Sequence, residues 1–171
     1  MRRAGCEGVE LGVDAGTPET LAALGKPFGV DAIQRAAGDL VAAGIPYSMS
    51  LILGGPGETP ETLEATLRVV NAARPTAVVA MLGVRLYPGT PLARRVKAAG
   101  VSQEIGLAPV FYVSPAVEGT LEAWARGVMR THPHWYFPGL AGERVERFLR
   151  AVRRQGVKGP LWTLLAPQAG L

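Results

Sequence analysis

The chain has 171 residues, 48% of them hydrophobic and 19% charged, which suits one soluble globular domain. No run of 18 apolar residues occurs, so no transmembrane helix is expected, and Met1-Arg2-Arg3 is not followed by the apolar core of a signal peptide. Net charge is +4, with much of the excess in ERVERFLRAVRR, residues 143–154; neither aromatic interleaving nor a known module accompanies it, so nucleic acid is not an expected partner.

In chain order, Met1 to Cys6 reads as the tail of a helix capped by Gly5. An arc that opens this way reads as cut from a longer chain. Cys6 is the single cysteine. It cannot form an internal disulfide or hold a metal cluster alone, and it reads as a partly buried thiol in a reduced, cytoplasmic protein. Three apolar runs follow, predicting strands near residues 8–14, 47–53 and 77–86. Each leads into a threonine–proline step: TPETL at Thr17 and again at Thr59, and TPL at Thr90, 42 and 31 residues apart. Threonine caps a helix through its hydroxyl, proline suits the first helical position, and Glu19 and Glu61 favour the helix dipole. Spacings of this size mark a repeated strand–turn–helix unit.

The helices are legible from their stripes. Val30 to Ala43 carries Ile33, Ala36, Ala37, Leu40 and Val41 on one side and stops at Gly44. Pro60 to Ala73 carries Leu63, Leu67 and Val70. Pro91 to Ala99 stops at Gly100. Strands apolar on both faces and separated by helices indicate a parallel α/β sheet, either a piece of an open doubly wound fold or an arc of a barrel. These units fill residues 1–105. Residues 106–171 read as a mainly helical accessory region. It holds an extended stretch at Gly106–Tyr112, a helix at Val117–Arg130, an aromatic loop at His132–Gly139, the basic helix, and a tail with Leu161, Trp162, Leu164 and Leu165. His132 and His134, one proline apart, read as a structural part of that loop rather than as metal ligands.

Ligands of parallel α/β folds sit at the C-terminal strand ends. Here those ends are Asp14-Ala-Gly16, Gly54-Gly-Pro-Gly-Glu58 and Arg85-Leu-Tyr-Pro-Gly-Thr90, expected on one rim. Gly54, Gly55 and Gly57 either let the backbone approach a ligand or make a tight turn at positive φ. The loop is neither a Walker A nor a GxGxxG sequence. Asp14 and Glu58 suit binding of hydroxyl or amino groups, acid–base work, or helix capping. Arg85 suits a carboxylate.

The run MRRAGCEGVELGVDAGTPETLAALGKPF, then LILGGPGETPETLEATL, then GVRLYPGTPLARRV and PVFYVSP, resembles the second half of a radical S-adenosylmethionine enzyme. The likeness is to the group that often carries a cobalamin-binding domain, and it covers Met1 to about Pro138. The resemblance implies a partial TIM-type (β/α) barrel in which the three units are the fourth to sixth. It implies that Asp14 contacts the ribose or amino group of S-adenosylmethionine, that Ile52, Gly54, Gly55, Gly57 and Glu58 flank the adenine, and that Arg85 and Tyr87 complete the cofactor site. The family's CxxxCxxC motif, which holds a [4Fe–4S] cluster, is absent, as is its glycine-rich second strand.

The implied function is therefore that of a fragment. The full enzyme would cleave S-adenosylmethionine reductively to a 5′-deoxyadenosyl radical, as a cobalamin-dependent methyltransferase or a radical cyclase acting on a small molecule. The cluster, and cobalamin if it is used, would come from the missing N-terminal half or a cluster-bearing chain, and this chain alone would be inactive. A non-catalytic half-barrel that binds a partner is the second reading. An unrelated α/β enzyme using Asp14 and Glu58 is the third.

Overall fold

The computed structural model describes residues 1–99, 106, 108–140 and 142–164. The elements are β1 (Val9–Asp14), α1 (Pro18–Ala23), α2 (Val30–Ala42), β2 (Tyr47–Leu53), α3 (Pro60–Ala73), β3 (Ala77–Leu82), β4 (Val84–Leu86), α4 (Pro91–Ala98), β5 (Val110–Tyr112), α5 (Leu121–Thr131), β6 (Trp135–Tyr136) and α6 (Gly142–Arg154). Short 3-10 turns occupy Arg2–Ala4 and Leu161–Leu164. Gly100, Leu107, Leu165 and the expected boundary at residue 105 lie outside the described residues.

The first three strands pair in parallel and in sequence order, Val9 opposite Tyr47 and Ser48 opposite Ala77. The threonine caps form as their sequence requires. Thr17, Thr59 and Thr90 each accept a backbone N–H from the third residue on, at 3.2–3.3 Å. Thr59 and Thr62 also cap one another reciprocally. Each such cap contributes about 1 kcal/mol.

Two expectations are corrected. The third strand does not run to residue 86. It breaks at Gly83, whose φ is 80°, and β4 beyond it pairs antiparallel with β5. A Cβ at Gly83 would stand 3.0 Å from the Tyr112 carbonyl oxygen, so the approach of β5 requires glycine at this bend. The aromatic stretch is not only a loop: Trp135–Tyr136 adds to the sheet parallel to β3, giving the order β1-β2-β3-β6. Two residues between prolines are too short to show an alternating pattern. Trp135 is buried, and its indole donates to Asn71 of α3 at 2.9 Å.

The two faces of the sheet differ. The Tyr47 hydroxyl donates to the Ala73 carbonyl in α3, which fixes Tyr47, Met49, Leu51 and Leu53 toward the helices. They share one apolar core with Ile33, Leu40, Leu63 and Val70, and with Leu121, Val128 and Phe137 from the C-terminal part. Each fully buried large side chain contributes about 1.5–3 kcal/mol. The opposite face carries Glu10 and Gly12 of β1, Ser50 and Ile52 of β2, and Val79 and Met81 of β3. Its lower end is covered by the Leu161–Leu164 turn, where the Trp162 indole donates to Glu10 at 2.9 Å. A Cβ at Gly8 would meet that indole at 3.0 Å. Its upper end is open, with Met81 42% exposed.

Candidate functional site at the C-terminal rim

The strand ends of β1, β2 and β3 come together at the open end of the sheet. β1 shifts register between Gly12 and Asp14, and Asp14 adopts φ 65°, a left-handed conformation uncommon outside glycine. Lys26, in the loop between α1 and α2, reaches its Oδ2 at 2.5 Å; the Asp14 side chain remains 19% exposed. Among the described residues Oδ1 has no partner. Gly12 is open, with nothing within 4 Å of where a Cβ would stand. Ile52 is half-buried on the same face.

The Gly54–Glu58 loop is largely closed on itself. Gly54 has φ 83°, and its Cβ position is filled by Leu121 at 2.6 Å and Val113 at 3.3 Å. Gly55 lies against Leu24 and Val84, at 3.3 and 3.4 Å. Gly57, with φ 79°, is open except for Ala23 at 3.9 Å. Glu58 is only 1% exposed and turns inward. Its carboxylate accepts the Gly54 N–H at 3.2 Å and the Thr62 hydroxyl at 2.6 Å. Burial pushes its pKa up, partly offset by the bonds from Thr62 and Gly54. Ser114 then ties the loop to the C-terminal part, its hydroxyl donating to the Glu58 carbonyl and its N–H to the Gly54 carbonyl, both at 2.8 Å.

Arg85 and Tyr87 stand beyond the Gly83 bend, and the Arg85 guanidinium carbon lies 4.9 Å from the centre of the Tyr87 ring. Val84 anchors this segment to the glycine loop. Asp14 thus keeps one carboxylate oxygen without a partner among the described residues, Ile52 is half-buried, Gly57 is exposed, Arg85 and Tyr87 stand exposed beyond the bend, and Gly54, Gly55 and Glu58 build the loop.

Sequence reasoning missed Lys26, Ser114, and the open positions Gly12, Ser50 and Met81. Alternation along β2 carried the signal for Ser50; nothing local carried it for Ser114, which is 56 residues from Glu58. Cys6 is half-buried, its Sγ 3.5 Å from the Gly8 carbonyl oxygen. His134 lies 3.2 Å from Asn71 through Nε2, its pKa lowered by burial and then by the charge of His132. Among the described residues no three His, Cys, Asp or Glu side chains are placed to hold a metal, and no helix is long and apolar enough to cross a membrane.

Residues 1–70 match the family model of the Radical SAM superfamily. No curated protein sequence matches significantly. Two similar solved structures are of the radical S-adenosylmethionine methyltransferase TsrM from Kitasatospora setae. The one with cobalamin and a [4Fe–4S] cluster bound is 24% identical at a TM-score of 0.71 and covers 95% of this chain and 38% of that one. The one with tryptophan substrate and the analogue aza-SAM bound is 23% identical at 0.72 and covers 95% and 40%. The chain thus spans about two fifths of the length of the matched methyltransferase. Residues 1–70 thus match the radical SAM superfamily model, and 95% of the chain is similar in fold to part of a radical S-adenosylmethionine methyltransferase.

Proposed function

We propose that this chain supplies the second half of the barrel of a radical S-adenosylmethionine enzyme, with residues 1–105 as barrel units and residues 106–171 as an accessory region sharing their core. Its role is to bind the adenosine side of S-adenosylmethionine. The observation that carries this reading is the C-terminal end of β1, where Asp14 Oδ1 has no partner among the described residues and Gly12, two residues before it, leaves open space. Lys26 holds Oδ2 and fixes the side chain, so a ribose hydroxyl or an amino group can donate to the remaining oxygen. Ile52 offers an apolar wall. The glycine loop sets the shape of this rim from below, with Gly57 its open member.

S-adenosylmethionine would supply the 5′-deoxyadenosyl radical or a methyl group. The cluster that cleaves it does not fit this chain, which has one cysteine where three thiolates are needed. The cluster, and any cobalamin, would come from an N-terminal part or a cluster-bearing chain. The matched methyltransferase favours cobalamin-dependent methyl transfer to a small molecule over radical cyclisation. A cytoplasmic setting accords with the lone free thiol.

The test joins the chain to a cluster-bearing N-terminal half and measures binding and cleavage of S-adenosylmethionine under reducing, anaerobic conditions. Cleavage is expected. Asp14→Ala should weaken binding roughly 10- to 150-fold, the loss of about 1.5–3 kcal/mol for a hydrogen bond to a charged group. Unchanged affinity in that variant would remove Asp14 from the site.

A further inference from the structure

The antiparallel β4–β5 pair has two unlike faces. Leu86 and Val110 turn inward, packing with Val96, Leu92 and Tyr112 in a small core of their own. Arg85 and Phe111 are directly opposite one another in the antiparallel register, so their side chains share the other face. Arg85 is exposed, and Phe111 and Tyr87 remain 47% and 53% exposed. The guanidinium is held against the Tyr87 ring at 4.9 Å. Among the described residues no carboxylate pairs with it.

An exposed arginine stacked on one aromatic ring and opposite a second suits a planar π system bearing an anion, which engages the charge and the rings together. The guanidinium fork gives a bidentate pair to a carboxylate. The rings offer faces on which an aromatic group can stack. The pair is fixed to the glycine loop through Val84 beside Gly55 and through the Gly83 N–H, which donates to the Leu53 carbonyl at 2.7 Å. A ligand held there would stand next to the glycine loop.

We propose that Arg85, Tyr87 and Phe111 form a substrate subsite for a planar aromatic carboxylate, in place of the cofactor role expected for Arg85 and Tyr87. This assignment rests on the proposed function for its setting. Its test does not, because binding needs no cluster. The full chain, labelled for amide chemical-shift mapping, is titrated with 2-naphthoate and with its neutral isostere 2-naphthamide. Saturable shifts in β4 and β5 are expected, with naphthamide about tenfold weaker or more. Arg85→Gln should abolish that difference, and Phe111→Leu should weaken both ligands. If Phe111→Leu does not fold, the exposed Arg85→Gln still decides the matter. Equal affinity for acid and amide, insensitivity to Arg85→Gln, or shifts confined to other elements would overturn the subsite. Competition by S-adenosylhomocysteine would also overturn it, returning the pair to the cofactor. If naphthoate fails while S-adenosylmethionine cleavage by the joined enzyme still depends on Asp14, the subsite falls and the proposed function stands.

Discussion

Glu58 shows how one residue can look like a ligand group in sequence and be a latch in the fold. It stands at a strand end among glycines, where a carboxylate suggests binding or acid–base work. In the molecule it accepts from Gly54 and Thr62 and is shielded from solvent. Its pKa is raised, so folding favours the neutral carboxyl. That contribution is complete below about pH 4.5 and is lost as pH rises through the raised value. Glu58→Gln keeps an acceptor for Gly54, while its amide can donate to Thr62, whose hydroxyl already reaches the Thr59 carbonyl at 3.0 Å. We therefore expect Glu58→Gln to flatten the fall in stability between pH 4.5 and neutrality. Glu58→Ala should lose about 1–3 kcal/mol by leaving the Gly54 N–H buried without a partner. Denaturant melts across this pH range would read both. An unaltered pH slope in the glutamine variant would mean that Glu58 does not titrate there.

At the scale of the element, the loop between β2 and α3 contains glycines of different kinds. Gly54 and Gly57 both have positive φ, but only Gly54 also lacks space, with Leu121 at 2.6 Å. Gly57→Ala should therefore cost about 1–2 kcal/mol, the penalty for a left-handed conformation. Gly54→Ala adds to that an overpacking term of about 1–3 kcal/mol. Thermal melts of the two variants should place Gly54→Ala clearly below Gly57→Ala; equal losses would show that α5 yields to the added methyl. The positive φ at this loop was one of the two readings open in the sequence. The packing of α5 against it was not legible, because it joins positions more than 60 residues apart.

At the scale of the molecule, β1 is an edge strand among the described residues, with unpaired backbone groups along one side, and Leu11 is half-buried beside them. A groove of about 320 Å³ runs along it between Val13 and Phe28. Unpaired edges with apolar flanks associate. The chain is expected to self-associate with rising concentration through Val9–Val13, and Leu11→Lys should suppress this. Sedimentation velocity showing a monomer at high concentration would contradict it. In a longer enzyme the same edge would receive the preceding barrel strand. The opposite end of the face is guarded differently, by Trp162 folded over Gly8 and Glu10.

The sequence by itself determined the repeated unit. The Thr–Pro steps at 17, 59 and 90, the helix stripes and the apolar runs are local signals, and local hydrogen bonding and burial are enough to set strands, caps and helix starts. The ends of the apolar runs placed Asp14 and the glycine loop at strand ends, as found. Only the tertiary structure decided what each strand end faces. The β3 break follows from the approach of β5, the inward turn of Glu58 from Thr62 and Gly54, the fourth strand from the fit of Trp135 beside Val78, and the Arg85–Phe111 face from antiparallel register. Except for the Glu58 latch, these are contacts between distant parts of the chain; and even at Glu58, side-chain direction depends on which space the rest of the molecule leaves, which local sequence does not encode.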